Sequence, residues 1–303
     1  MKDWPSIPRR RGAPAPGWAA CGLVVLRVAP VALGAEPAPE PSAFSLFRPV
    51  PAARLRELTT DRPDKTETPF TVDAGHFQVE MDLFGYTRDR SFEGGVERLE
   101  ESWSAGPVNL KAGLLPAVDL QLVLSPYRWE RVEERDAGGR STERRSGYGD
   151  TVLRSKINLW GNDGGKTALA LLPLLKFPTS QDGLGNDAFE GGLIVPFEIE
   201  LPRGLSLGFN AGWLAARNEA DDGYHARWVH SVALGYSLSR RISGYVEFWS
   251  EVSGERGADW AGTFDFGFNL LLAPNLKLDV GLNIGVTEAA DDWNPFVGLS
   301  WRH

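Results

Sequence analysis

Apolar residues fall on every second position in a series of short segments from about residue 75 to the C-terminus. Four of the clearest segments are residues 76–83, 205–213, 264–272 and 276–286. In the last of these, apolar Leu278, Val280 and Leu282 alternate with polar positions that include Lys277 and Asp279. Successive side chains of a strand point to opposite faces, so this period of two predicts strands with one apolar and one polar face.

The connections between these segments alternate in length. Short ones lie at residues 115–117, 161–166, 201–204, 239–240 and 273–275, and long polar ones at 88–101, 130–147, 178–191, 217–225, 254–259 and 288–292. Bacterial outer-membrane barrels pair short periplasmic turns with longer outside loops. We therefore predict an all-β fold, an outer-membrane antiparallel β-barrel of about twelve strands with both termini on the periplasmic side.

The first 74 residues differ in composition from the rest. Residues 1–35 carry the basic run Arg9, Arg10 and Arg11, then an apolar stretch, then small residues up to Ala35, which is the pattern of a secretory signal peptide. Residues 36–74 are rich in proline and are predicted to form a short periplasmic N-terminal extension. The transmembrane β-barrel is predicted to occupy residues 75–303.

Composition excludes several classes of protein. The chain has no apolar run near the roughly 18 residues that a spanning helix needs. Loss of residues 1–35 would remove five of the 32 basic and one of the 40 acidic residues, and 27 against 39 leaves a net charge of −12. An acidic exported chain is a poor nucleic-acid binder, so no nucleic-acid partner is expected. Cys21, the one cysteine, falls within the predicted signal, which leaves no thiol chemistry.

Three stretches carry a resemblance to a known family. The chain reads LTTDRPD at residues 58–64, TPFTVDAGHFQVE at 68–80 and GYGDTVL at 147–153. They are similar to a bacterial family named for the MetA pathway of phenol degradation, whose members are described as outer-membrane transporters. The resemblance implies a barrel that passes small hydrophobic or aromatic compounds, and it supplies no catalytic motif.

Charged side chains on the polar face of the predicted strands are the candidate lining of the lumen. Inward charges can line a water-filled pore and set its selectivity, or they can pair and fill a narrow lumen. The candidates are Glu80, Asp82, Lys111, Asp119, Arg154, Lys156, Glu198, Glu200, Arg227, Arg241, Glu247, Asp265, Lys277 and Asp279. The segment before the first strand offers Asp61, Arg62 and Asp64 as a periplasmic gate or plug, with Arg62 expected to pair with residues such as Glu80 or Glu198.

The predicted strand from Thr167 to Phe177 breaks the alternation, because both of its faces are apolar. This pattern fits either an apolar patch inside the lumen for a hydrophobic solute or packing against the N-terminal segment. No residue is assigned a catalytic role, and neither a metal ligand set nor a cofactor is expected. His230 falls on the lipid-facing side, where a lone histidine is more often structural than catalytic.

These patterns together favour a non-enzymatic outer-membrane channel or transporter for small, hydrophobic or aromatic solutes. A structural or adhesive barrel without transport is the main alternative, and an outer-membrane lipid hydrolase is a weaker one. The expected partners are outer-membrane lipid, the barrel-assembly machinery and a small-molecule solute.

Overall fold

Strands make up nearly all of the regular structure. The computed structural model describes residues 43–218, 223–255 and 257–303, so the predicted signal peptide lies outside the described residues. A 3-10 turn, Ala52–Arg54, precedes fifteen strand segments. They are β1 Phe77–Glu93, β2 Val96–Ala105, β3 Val108–Leu115, β4 Val118–Leu124, β5 Tyr127–Asp136, β6 Gly139–Gly147, β7 Thr151–Trp160, β8 Thr167–Phe177, β9 Glu190–Leu201, β10 Leu205–Arg217, β11 Tyr224–Ser237, β12 Ile242–Ser253, β13 Ala261–Ala273, β14 Leu276–Gly285 and β15 Trp293–Arg302. None of the described helices is long and apolar enough to cross a membrane.

The sheet closes on itself. Each segment pairs antiparallel with its neighbours, and β15 pairs with β1 in a register that runs from Gln78 opposite Arg302 to Arg88 opposite Trp293. β1 pairs with both β2 and β3, because these two segments are one strand interrupted at residues 106–107, and β4–β5 and β6–β7 are interrupted in the same way. The fifteen segments therefore form twelve barrel strands, which confirms the predicted closed antiparallel barrel.

The period of two in the sequence separates the two faces of the wall. On β13 Phe264, Phe266 and Phe268 are 37–46% exposed, whereas Thr263 and Asp265 at the alternate positions are buried, at 5% and 0%. Closure pairs the backbone groups between strands, so the outer face can be apolar without leaving an open edge in lipid. Trp213 and Trp228, which are cross-strand partners, add exposed indoles near the long-loop end of this face.

Two of the predicted long loops are strands in the structure. The β1–β2 and β5–β6 hairpins continue past the membrane region, with tight turns at residues 94–95 and 137–138. Their sequence shows no apolar alternation because both faces are polar. Cross-strand ion pairs instead hold the strands together, such as Arg131 to Glu101 at 3.2 Å and Arg98 to Glu134 at 3.1 Å.

Candidate functional site: a polar segment inside the barrel lumen

Residues 58–73, named the plug segment here, run through the interior of the barrel. The segment has no regular secondary structure, yet Asp61, Thr66, Pro69 and Asp73 in it are buried. It makes hydrogen bonds or ion pairs with side chains from strands all around the wall, namely β1, β3, β4, β7, β11, β12, β13, β14 and β15. A segment that reaches strands on opposite sides of a closed barrel lies within its lumen.

Asp61 is the centre of the most buried charge cluster. Its carboxylate is paired with Lys111 of β3 and with Lys156 of β7, whose Nζ lies 2.5 Å from Oδ1. The Lys111 ammonium also lies 2.5 Å from Glu80, and the three charged side chains Asp61, Lys111 and Lys156 are at most 6% exposed. Thr68 of the plug segment donates two further hydrogen bonds to the same carboxylate. Such a buried cluster is stable only while every charge keeps its partner.

Arg62 joins the plug segment to the wall at a second point. Its Nη1 lies 2.5 Å from Asp82 of β1 and its Nη2 lies 2.7 Å from Asp279 of β14. Both aspartates are register partners of Gly298 on β15, the strand between them. A Cβ on Gly298 would come within 2.1 Å of the guanidinium, so this glycine provides the space that Arg62 occupies. The Phe296 ring lies 5.4 Å from the guanidinium carbon.

The predicted partners of Arg62 were therefore wrong. Glu80 is paired with Lys111, and Glu198 lines a cavity that Arg62 also lines but forms no ion pair with Arg62 among the described residues. Which carboxylates lie within reach of Arg62 depends on how the strands are staggered around the barrel. This stagger is a property of the closed barrel rather than of local sequence.

A third set of contacts involves Lys65 and Thr66. The Lys65 ammonium lies 3.3 Å from Asp265 of β13 and 4.7 Å from the centre of the Trp249 ring. The Lys65 backbone N–H donates to Glu247 of β12, and Thr66 donates to the same carboxylate at 2.5 Å. The plug segment is thus fixed to adjacent strands through both its backbone and its side chains.

The candidate lining residues fall into two groups. Glu80, Asp82, Lys111, Asp119, Arg154, Lys156, Glu247, Asp265 and Asp279 bind the plug segment directly. The other five lie elsewhere: Glu198, Lys277 and Arg241 line cavities beside the plug segment, Glu200 lines a small pocket at the 161–166 turn, and Arg227 faces Glu251 at 3.4 Å. Asp64, the third gate candidate, lines one of these cavities too.

Uncharged residues of the same face were missed by reasoning from charge alone. Asn158 donates to the Pro69 carbonyl at 2.9 Å, and the Ser231 and Thr66 hydroxyls lie 2.7 Å apart. Gln121 is fully buried and accepts two hydrogen bonds from Arg154. The sequence did carry a signal for them. Each is separated by an even number of residues from a charged candidate on the same strand, so it points to the same inner face.

The apolar strand β8 also faces the plug segment. Ala168, Ala170 and Leu172 on its inner side are at most 3% exposed. Asn158, the cross-strand partner of Ala170, holds the Pro69 carbonyl, so the plug segment passes this face. This proximity favours packing against the N-terminal segment as the reason for the second apolar face.

Cavities remain on both sides of the plug segment. The outer cavity, about 310 Å³, is lined by Arg62, Asp82, Thr87, Ser104 and Asn294. A further cavity, beneath the outer loops, shares Thr87 and Ser104 with it. On the other side, the middle cavity, about 230 Å³, also has Arg62 in its lining. It shares Asn269 and Lys277 with the periplasmic cavity, about 770 Å³, at the short-turn end. Arg62 thus stands between the outer and middle cavities.

The outer face offers little chemistry for hydrolysis around His230. Its register partners are Ser250 on β12 and Ala211 on β10, and Gly262 on β13 is the partner of Ser250. Neither Ala211 nor Gly262 carries a carboxylate or amide. Among residues 43–218, 223–255 and 257–303, no group of three or more His, Cys, Asp or Glu side chains is placed to hold a metal ion.

A family model decides the relationship of the chain to known proteins. The family described as "Putative MetA-pathway of phenol degradation" matches residues 60–303, from the plug segment to the end of the last strand. The chain belongs to this family. The match begins inside the plug segment, so the family pattern includes most of that segment as well as the barrel.

Solved barrels with low sequence identity resemble the fold. The NanC porin has a TM-score of 0.45 at 10% identity, covering 74% of this chain and 98% of the porin. The translocator domain of the autotransporter NalP from Neisseria meningitidis has a TM-score of 0.45 at 12% identity, and the match covers 75% of this chain and 88% of the translocator domain. The CymD monoaromatic hydrocarbon channel has a TM-score of 0.40 at 9% identity, and the match covers 75% of this chain and 87% of the channel. A comparison with curated proteins finds no match. With its closed wall and apolar outer face, the chain is a bacterial outer-membrane barrel.

Proposed function

We propose that the protein is an outer-membrane channel for small aromatic solutes that is closed by its own plug segment, with Arg62 as the latch. The observation that carries the proposal is the position of Arg62 between the outer and middle cavities, held by Asp82 and Asp279. The aromatic class of solute is supported by the family to which the chain belongs, whose description refers to phenol degradation.

The chemistry of the plug contacts suits a segment that can be displaced. Much of the contact is made by ion pairs and hydrogen bonds, such as those of Arg62, Lys65 and Thr66. Water in an opened lumen can replace these partners, whereas it could not replace a tightly packed apolar core. We therefore expect local movement of the plug segment at much lower free energy than unfolding of the barrel.

The latch is tested by replacing Arg62 with Ala in the full chain. Loss of both ion pairs is expected to join the outer and middle cavities and to raise the conductance in planar bilayers and the rate of phenol entry into proteoliposomes. Gly298→Ala should act in the same direction with the charge retained, because its Cβ competes for the space of the guanidinium. Arg48→Ala, at an exposed arginine before the plug segment, is the matched control.

Two results would contradict the latch. One is an Arg62→Ala protein that folds normally yet conducts and takes up phenol no faster than the Arg48→Ala control. The other is a wild-type protein that already conducts at the level of the variant. Heat-modifiable migration in gels shows that each variant has folded before the conductance is compared.

We also propose that the protein acts without catalysis and that the barrel-assembly machinery inserts it. Absence of catalysis is supported by a lumen in which nine of the fourteen candidate charges bind the plug segment, and by the position of His230 on the outer face beside Ala211. The second is supported by β15, which places Leu299 and Trp301 at alternate positions of a closing strand and presents the Trp301 indole outward, 41% exposed.

A structural or adhesive role is the second candidate, favoured by the extended hairpins at the long-loop end. The β1–β2 and β5–β6 hairpins form a four-stranded sheet with polar faces and cross-strand ion pairs. Such a sheet presents a firm surface outside the membrane. Normal phenol uptake after both hairpins are shortened would assign transport to the barrel and leave surface contact to the hairpins.

A further inference from the structure

The periplasmic cavity has an unusual lining for this acidic protein. Its charged side chains are five cations and one carboxylate, Arg56, Arg240, Arg241, Lys277, Arg302 and Glu57. Arg56 and Arg302 both pair with Asp73 of the plug segment. Arg240 and Arg241 are exposed at the turn between β11 and β12, at the mouth of the cavity. The inner end of the lumen is therefore positive, whereas three carboxylates and one cation line the cavity beneath the outer loops, Asp89, Glu100, Asp291 and Arg128.

Lys277 is the cation most suited to hold a ligand. It lines both the middle and the periplasmic cavities, so its ammonium stands where the two meet. Three carboxylates act on it: Glu80 is paired with Lys111, Asp279 is paired with Arg62, and the exposed Glu57 lines the same periplasmic cavity. Among the described side chains, none forms an ion pair or hydrogen bond with the Lys277 ammonium.

Two buried donors lie on β15, the strand next to Lys277. Ser300, the register partner of Lys277 on β15, is 1% exposed, and its hydroxyl has no hydrogen-bond partner among the described residues. Arg302, 7% exposed and part of the cavity lining, likewise has an unpartnered Nε. Both atoms have almost no exposed surface, so the donor that a ligand in the cavity can reach is the Lys277 ammonium, and an ammonium binds the oxygens of an anion.

The cavity also has an apolar part. Leu55 and Leu58 of the N-terminal segment face it from one side, and Leu271 and Pro274 contribute from the wall. A volume of about 770 Å³ is within the range of small-molecule sites and can hold an aromatic ring as well as a carboxylate. Apolar side chains next to the unpaired Lys277 ammonium fit a ligand with an apolar body and one negative end.

We propose that the periplasmic cavity is a binding site for aromatic carboxylates, with Lys277 as the main contact for the carboxylate and Arg241 as a cation that attracts it to the mouth. The site deepens the proposed function, since it lies at the periplasmic end of the proposed path. It binds an organic anion on the periplasmic side of the plug segment, away from the carboxylates that line the cavity beneath the outer loops.

The test uses the purified full chain in detergent micelles and two ligands of the same shape, 4-fluorobenzoate and its neutral amide, 4-fluorobenzamide. Fluorine NMR titration measures each dissociation constant. We expect saturable binding of 4-fluorobenzoate, at least tenfold weaker binding of 4-fluorobenzamide, and a tenfold or greater loss of benzoate affinity in Lys277→Gln. Arg241→Gln should weaken binding less and reduce its dependence on salt, because Arg241 is exposed.

Lys166→Gln is the matched control, because this exposed lysine lies at the same end of the barrel but lines a different pocket. Equal affinity for the charged and neutral ligands would overturn the proposal, as would benzoate affinity in Lys277→Gln that equals the affinity in Lys166→Gln. The titration requires no transport, so a protein that conducts phenol but binds no benzoate disproves this site alone. A protein that binds benzoate but shows no phenol uptake disproves the channel alone.

Discussion

Replacement of Asp61 by Ala is expected to release the plug segment from the lumen. The change leaves the ammonium groups of Lys111 and Lys156 buried without their shared carboxylate, at 4% and 0% exposure. Removing one partner from a buried pair costs about 3–5 kcal/mol, because the remaining charge is left buried without compensation. The barrel should stay folded, because its backbone ladder does not depend on this carboxylate.

Hydrogen exchange measures the release. The Lys65 and Val72 amides donate to Glu247 and Asp119 on the wall, so they are protected while the segment is docked. A loss of about 3–5 kcal/mol corresponds to exchange about a hundredfold to a few thousandfold faster at these amides. Amides in the middle of β13 should exchange as in the wild type.

Two variants control this result. Asp163→Ala removes a carboxylate that is 77% exposed and 3.8 Å from Arg56, so it should change docking by less than about 1 kcal/mol. Asp61→Ala combined with Lys156→Met removes one of the orphaned charges and should restore part of the protection. Unchanged exchange at Lys65 and Val72 in Asp61→Ala would show that the segment is held by other contacts.

Replacement of Phe266 by Arg is expected to destabilise the barrel in the membrane by about 2–4 kcal/mol. Phe266 lies midway along β13, on the outer face and 37% exposed, so the new charge would enter lipid near the bilayer midplane. Unfolding by urea in lipid vesicles, followed through the gel shift of the folded barrel, measures the difference.

The neighbouring position separates the two faces of the wall. Asp265 is fully buried on the inner side and faces Lys65, so Asp265→Asn should leave insertion unchanged and should loosen only the plug segment. Equal loss of barrel stability in both variants would mean that the assignment of faces is wrong for β13. Phe266→Leu, which keeps the surface apolar, should behave like the wild type in the same assay.

Local pattern accounts for the wall of the barrel. In β13, Phe264, Phe266 and Phe268 alternate with polar or small residues, and in a strand this alternation alone determines which side chains share a face. Once one face must meet lipid, the other must form the lumen. The twelve-strand architecture and the two apolar and polar faces could therefore be predicted before any coordinates were known.

The extended hairpins show where local pattern was insufficient. Residues 88–101 and 130–147 were predicted to be loops because their apolar alternation stops. Their strands instead continue through pairs such as Arg131 with Glu101, in which both faces are polar. A pattern of hydrophobicity does not detect a strand whose two faces both meet water.

The sequence by itself determined the chain's class, its alternating strands, the likeness of residues 58–80 to a family and the polar character of the lumen. Only the tertiary structure decided that residues 58–73 occupy the lumen. It also decided that Asp61 forms ion pairs with both Lys111 and Lys156, and that Arg62 forms ion pairs with Asp82 and Asp279. The physical reason is that strand alternation is a nearest-neighbour property of the backbone. The partner of a lumen charge depends on the stagger of distant strands, and closure of the barrel brings Asp82 and Asp279 to either side of Gly298.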